Sequence, residues 1–181
     1  GFNIFRDLLQ FAVMLMLVRL ISPQGYGQFA LANTVIGIIS VLAFNSFVSH
    51  AIQLRDDLPV DYQSHFTFGA LFQISLFMLT NIVALILGDT EGKEELSSLL
   101  HVLSVTFLLE WPAEIRRKML ERELNHKRLR ALQAVGITLS AILAIALAMN
   151  GLGVWALVVP GLLVTIPITV ELFFVVRWRP N

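Results

Sequence analysis

Glu110-Trp111-Pro112-Ala113-Glu114-Ile115-Arg116-Arg117-Lys118-Met119-Leu120-Glu121-Arg122-Glu123-Leu124-Asn125-His126-Lys127-Arg128-Leu129-Arg130 is the one long polar stretch in a chain of apolar runs. It holds Arg116, Arg117, Lys118, Arg122, Lys127, Arg128 and Arg130, seven of the thirteen Lys and Arg. A cluster this basic resists translocation across a bilayer, so it fixes one side of the protein as cytoplasmic. The other segments are oriented from it.

Of the 181 residues, 56% are hydrophobic and 14% charged, with mean hydropathy +0.75. Ordinary soluble domains carry about 25% charged residues. The charges collect in short breaks between apolar runs, the pattern of a polytopic membrane protein. No cysteine is present, which excludes disulfides, thiol catalysis and Cys-ligated metals. The first apolar run lacks a small-residue cleavage site, so no signal peptide is read. Gly1 in place of Met predicts that a few residues precede it.

A bilayer core of about 30 Å needs roughly 20 apolar helical residues. Six segments satisfy this, at about 3–21, 28–53, 64–87, 96–115, 131–149 and 154–176. The expected fold is an all-α integral membrane bundle of six helices. Ser22 to Gly27, Leu54 to Pro59, Gly88 to Glu95 and Asn150 to Gly153 separate them. With the basic stretch inside, six alternating spans put both termini inside. The inner side then holds Arg6, Arg55, Arg177 and Arg179 besides the seven, and the outer side only Arg19 and Lys93. The basic stretch also reads as helical, through the pairs Glu114–Lys118, Glu123–Lys127 and Arg117–Glu121. Pro112 is expected to bend the fourth helix, and Pro160 with Pro167 the sixth.

Four phrases, in order, carry a resemblance. They are Arg19-Leu20-Ile21-Ser22-Pro23-Gln24-Gly25-Tyr26-Gly27-Gln28-Phe29-Ala30-Leu31, the stretch Pro112 to Leu129, Gly151-Leu152-Gly153-Val154-Trp155-Ala156-Leu157-Val158, and Arg177-Trp178-Arg179-Pro180. Together they resemble the bacterial polysaccharide flippases, the Wzx-like branch of the superfamily that also holds the multidrug MATE exporters. The resemblance covers nearly the whole chain. It implies a location in the bacterial inner membrane and a polyprenyl-pyrophosphate-linked oligosaccharide as substrate, with surface-polysaccharide synthesis as the setting (O-antigen, capsule or exopolysaccharide). It implies two lobes that rock around a central cavity, so the partner of this chain is a C-terminal lobe or a second chain. No bond is made or broken, so no enzyme and no cofactor are expected. Two departures stand out. Phe44-Asn45-Ser46 replaces an acid, an aliphatic residue and Gly, and the chain stops after six helices.

An anionic head group calls for cations where water reaches. Arg6 and Arg116 are the first candidates, with Arg19 next. Arg6 reads otherwise as an interfacial residue snorkelling to lipid heads, and Arg19 as the same with a contact to its helix C-terminus added. Arg116 reads otherwise as a topology determinant. Glu110 and Glu171 are acids in apolar surroundings, each reading as a cavity group able to take a coupling proton or cation, or as the partner of a nearby Arg. Arg117, Lys118, Lys127, Arg128 and Arg130 read as solvated or bound to anionic membrane lipid. His50, His65, His101 and His126 share no metal-ligand spacing, and no metal site is expected. The basic stretch lacks interleaved aromatics and adjoins a span, which argues against nucleic acid. Three other functions fit less well: a drug or ion exporter of the same superfamily, a membrane glycosyltransferase, and a non-transporting remnant or assembly subunit.

Overall fold

The computed structural model describes residues 2–52 and 62–175. Arg55, Arg177 and Arg179 lie outside the described residues, as do the side chains of Phe44, Asn45 and Ser46. The described chain is helical throughout: α1 (Phe2–Leu20), α2 (Pro23–Ile52), α3 (Tyr62–Gly88), α4 (Glu94–Arg122), α5 (His126–Met149), α6 (Trp155–Leu163) and α7 (Ile166–Val170). A π-helical turn, Glu171–Val175, continues α7.

Four stretches among the described residues are long and apolar enough to cross a membrane: Thr67–Gly88, Glu94–Arg122, His126–Met149 and Trp155–Phe174. They run from 20 to 29 residues, about 30–44 Å at 1.5 Å per residue, against a bilayer core of about 30 Å. Large apolar side chains face outward along them and along α1; Phe68, Ile86 and Ile142 are 64%, 65% and 61% exposed. In water such a surface would aggregate, whereas in lipid it is the solvated face. The fold is an all-α membrane bundle.

Helix boundaries shift from the sequence pattern where caps decide them. α2 starts at Pro23 rather than near Gln28, because Ser22 Oγ accepts the Gly25 N–H at 3.2 Å and Pro23 takes the first helical position. The break expected over six residues is a two-residue corner, Ile21 and Ser22. α5 starts at His126 rather than 131, capped by Asn125, whose Oδ1 accepts the Arg128 N–H. α4 continues through Pro112 to Arg122. The basic stretch is therefore no loop. It is two helix ends joined by Glu123, Leu124 and Asn125.

That joint has a specific form. Asn125 N–H donates to Leu120 O and Leu124 N–H to Glu121 O, the paired bonds of a Schellman cap. The same pattern ends α5, where Leu152 N–H reaches Leu147 O and Gly151 N–H reaches Ala148 O. The α5 cap puts Gly151 at φ 75°, but the α4 cap puts Leu124 at φ 53°. An L residue there costs roughly 1 kcal/mol or more. Leu124 is 76% exposed, so its side chain has little to lose. Leu124→Gly is expected to raise stability by about 1 kcal/mol, measured as the melting temperature in detergent micelles.

Packing is tightest between α3 and α4, with α5 against α6 and α1 against α5 next. Ala32, Ala84, Leu99, Leu100, Leu103, Val154 and Val158 form the largest buried cluster among the described residues. Between α3 and α4 the contact is partly polar. Asn81 Nδ2 donates to Phe77 O and to Ser104 Oγ, at 2.7 and 3.0 Å. That orientation turns Oδ1 to His101, whose Nδ1–H donates to it at 2.6 Å. Ser97 Oγ donates to Ala84 O at 2.7 Å, one helix to the next. Polar links of this kind join helices where lipid supplies no hydrogen bonds, at about 0.6–1.7 kcal/mol each. Asn81→Leu is expected to lower stability by about 1–2 kcal/mol, measured as the melting temperature in detergent micelles.

The corners sort to two ends. Gly25 at the α1–α2 corner lies beside Val154 before α6, and Gly88 at the end of α3 lies beside Ser97. At the other end Arg6 of α1 shares a small cavity with Arg117 of α4, Gln133 of α5 and Thr165 before α7. This second end carries the basic residues and is called the basic end below.

Candidate functional site

At the basic end three helices bring their charges together. Arg116 on α4 and Glu171, the first residue of the π-helical turn, are each 3% exposed. Arg116 Nη2 donates to Glu171 Oε1 at 2.8 Å, and Arg128 Nε on α5 forms an ion pair with the same oxygen at 2.6 Å. Glu123 Oε1 lies 3.6 Å from Arg116 Nη1. One carboxylate thus ties α4, α5 and the end of the sixth span. Its second oxygen, Oε2, and Arg116 Nε are buried and have no hydrogen-bond partner in the structure.

Two of the five candidate residues, Arg116 and Glu171, are thus partners of each other. This is the alternative in which Glu171 meets an Arg, here Arg116. Arg128, read from sequence as solvated, is the third member. The signal that would have found it is the Asn125 cap, which makes Arg128 part of the first turn of a helix.

Nearby, the helical pairs are partly rearranged. Lys118 Nζ lies 3.6 Å from Glu114 Oε1, as the spacing predicts. Arg117 pairs with Glu114 rather than Glu121, and Lys118 takes Glu121 at 3.6 Å. Glu123 turns to Arg116 because α4 ends at Arg122, so the spacing from Glu123 to Lys127 spans two helices.

The remaining candidates are dispersed. Arg6 lies near the start of α1, with Nε and Nη2 donating to Asp7 Oδ1 at 2.9 and 2.8 Å. Glu110 is exposed on α4. Six positions separate it from Arg116, which puts the two about 120° apart around the helix. Arg19 is exposed in the last turn of α1, at the end opposite the basic one.

The sixth span is interrupted rather than smoothly curved. α6 stops at Leu163 and α7 begins at Ile166, with Pro167 near its start. Thr169 Oγ1 bonds back to Thr165 O at 3.1 Å and reaches Leu109 O on α4 at 3.4 Å. Against this interruption α5 presents Gly136, where a Cβ would stand 2.2 Å from the Val164 carbonyl oxygen. Two cavities flank that contact. One of about 340 Å³ lies among α1, α2, α5 and α6, and one of about 140 Å³ is lined by Arg6 and Arg117. Among the described residues no group of three His, Cys, Asp or Glu side chains forms a metal-binding set.

The chain is 23% identical over 177 residues to the succinoglycan biosynthesis transport protein ExoT of Rhizobium meliloti (strain 1021). The match covers 96% of this chain and 35% of that protein, so the chain spans about a third of the relative's length. No solved structure matches it significantly. A family model described as polysaccharide biosynthesis protein matches residues 16–181, most of the chain including both buried partners Arg116 and Glu171, and the chain therefore belongs to the polysaccharide biosynthesis protein family.

Proposed function

We propose that this chain is the N-terminal lobe of a flippase that moves a polyprenyl-pyrophosphate-linked oligosaccharide across the bacterial inner membrane. The observation that carries the reading is the family match over residues 16–181, joined to a relative named as a succinoglycan transport protein. The charge layout supports it. In this reading the basic end faces the cytoplasm, where the lipid-linked sugar is assembled. Arg6 meets the pyrophosphate there. Arg116, Arg128 and Glu171 hold the inner ends of the spans together while the lobe moves against a second lobe. Glu110 faces the space between lobes, and Arg19 lies at its outer rim. Transport of this kind makes and breaks no covalent bond.

The function is tested by disrupting the gene in its host and following lipid-linked repeat units. Loss of surface polysaccharide and accumulation of the lipid-linked unit on the inner leaflet are expected. Normal export with no accumulation removes the proposal.

The orientation has its own test. The chain has no native cysteine, so single introduced thiols report cleanly. In intact spheroplasts a membrane-impermeant maleimide should modify Thr90→Cys, in the acidic turn, and should spare Leu124→Cys, in the basic joint. The opposite labelling pattern reverses the topology.

A further inference from the structure

The two cavities are halves of one groove. They share Ile137 of α5 and Val164 of the sixth span. On α1 the larger cavity takes Leu9, Val13 and Leu17, a single helical stripe, and the smaller takes Arg6, one turn earlier on it. On α5 the larger takes Ile137, Ala141 and Ala144, and the smaller adds Gln133, one turn earlier. On the sixth span the larger takes Ala156, Pro160 and Gly161, and the smaller adds Thr165 and Ile168 beyond Val164. On all three elements the step from one cavity to the next is about one turn toward the basic end. From Arg6 to Leu17 the groove follows about 16 Å of α1.

The groove changes character along that path. Its membrane part is mostly apolar, with Gln10, Tyr26 and Ser140 as its polar members, and its floor includes the small residues Ala141, Ala144, Ala156 and Gly161. Its basic-end part is lined by two arginines, an amide and a threonine hydroxyl, with no acidic side chain among them. Arg6 and Arg117 each use part of their guanidinium on an acid of their own helix, Asp7 and Glu114. Arg117 Nε is buried beside this chamber and has no hydrogen-bond partner in the structure. Guanidinium groups with edges to spare fit phosphate oxygens. An apolar channel with cations at its mouth complements one kind of molecule: a lipid chain carrying a phosphate head.

We propose that this groove binds a single-chain isoprenoid lipid phosphate, with the chain lying along α1, α5 and α6 and the phosphate between Arg6 and Arg117. The proposal rests on the transport reading above and gives it a location. The chain lies in one channel rather than two, which fits a single-chain lipid. The small residues of the floor widen it for a methyl-branched chain. The groove lies within this lobe, so the lipid remains held by its chain while the sugar head crosses between lobes.

The test uses the full-length protein in detergent, with binding followed by native mass spectrometry. The probes are undecaprenyl phosphate, undecaprenol, inorganic pyrophosphate and dioleoyl phosphatidylglycerol. Nothing lies within 4 Å of a Cβ added at Gly161, so Gly161→Leu extends a side chain into the groove, and Gly161→Ala is the milder step. Gly161→Leu is expected to weaken undecaprenyl phosphate and undecaprenol at least tenfold and to leave pyrophosphate unchanged. Arg6→Gln with Arg117→Gln is expected to weaken undecaprenyl phosphate and pyrophosphate at least tenfold and undecaprenol little. Gly161→Ala should fall between wild type and Gly161→Leu, and it stands in for the larger change if Gly161→Leu fails to fold. Unchanged undecaprenyl phosphate binding in the folded Gly161 variants overturns the groove. Equal binding of phosphatidylglycerol overturns the isoprenoid assignment. Gene disruption reads the transport function separately, so the groove falls with transport intact if only the binding experiment fails.

Discussion

Arg116→Ala is expected to destabilise the protein by about 3–5 kcal/mol, the largest loss from any single charge in the described chain. Arg116 and Glu171 are both 3% exposed. Taking one partner away leaves the other charge in a low-dielectric interior. Glu171→Ala should be comparably severe, because it strands Arg116 and also frees Arg128. Replacing both charges by apolar residues of similar size, Arg116→Met with Glu171→Leu, should recover most of the loss. Arg128→Ala should cost less than either, since half of that side chain remains in contact with water. The measurement is unfolding in mixed micelles, with the double-mutant cycle giving the coupling. Additive losses in the cycle would mean that the pair contributes nothing beyond its separate parts. Loss of surface polysaccharide in the single variants would then follow lost protein rather than lost substrate contact. Immunoblots of membrane fractions separate the two.

Gly136→Ala is expected to cost about 1–3 kcal/mol, although alanine is the better helix former by about 1 kcal/mol. The added Cβ would stand 2.2 Å from the Val164 oxygen and 3.0 Å from its carbonyl carbon. Those atoms are backbone and cannot rotate away, so α5 and the sixth span must separate. Val164 lies between α6 and α7, where the helix is already interrupted, and the separation would open there first. It would also disturb both cavities, which share Val164. The control is Gly37→Ala, where nothing lies within 4 Å of the added atom. That variant should be neutral or slightly stabilising. Equal melting temperatures for Gly136→Ala and Gly37→Ala would show that the close approach is not tight. At Gly69 a Cβ would overlap the Trp111 indole of α4, but a side chain can turn aside where a carbonyl cannot.

The groove was half legible in the sequence. Arg6 stood out because a cation beside an apolar run is unusual wherever it occurs. Arg117 did not, because it lies in a run of basic residues where each looks equally solvated. Nothing in sequence spacing relates Arg6 on α1 to Arg117 on α4. The interruption of the sixth span was signalled by Pro160 and Pro167, yet its position at Val164 and Thr165 depends on α5 pressing Gly136 against it.

The sequence by itself determined the class of the protein, its all-α membrane fold and the location of its basic end. These follow from local properties: a run of apolar residues partitions into lipid, and a cluster of arginines stays out of it, whatever the neighbours are. Helix ends were less legible, because Ser22 and Asn125 act through single hydrogen bonds that hydropathy does not register. Only the tertiary structure decided which charges are free. Arg116 and Glu171 are 55 residues apart in sequence, and each alone looks like an open cavity group. A buried charge must find its partner, and which partner it finds depends on how α4, α5 and the sixth span pack.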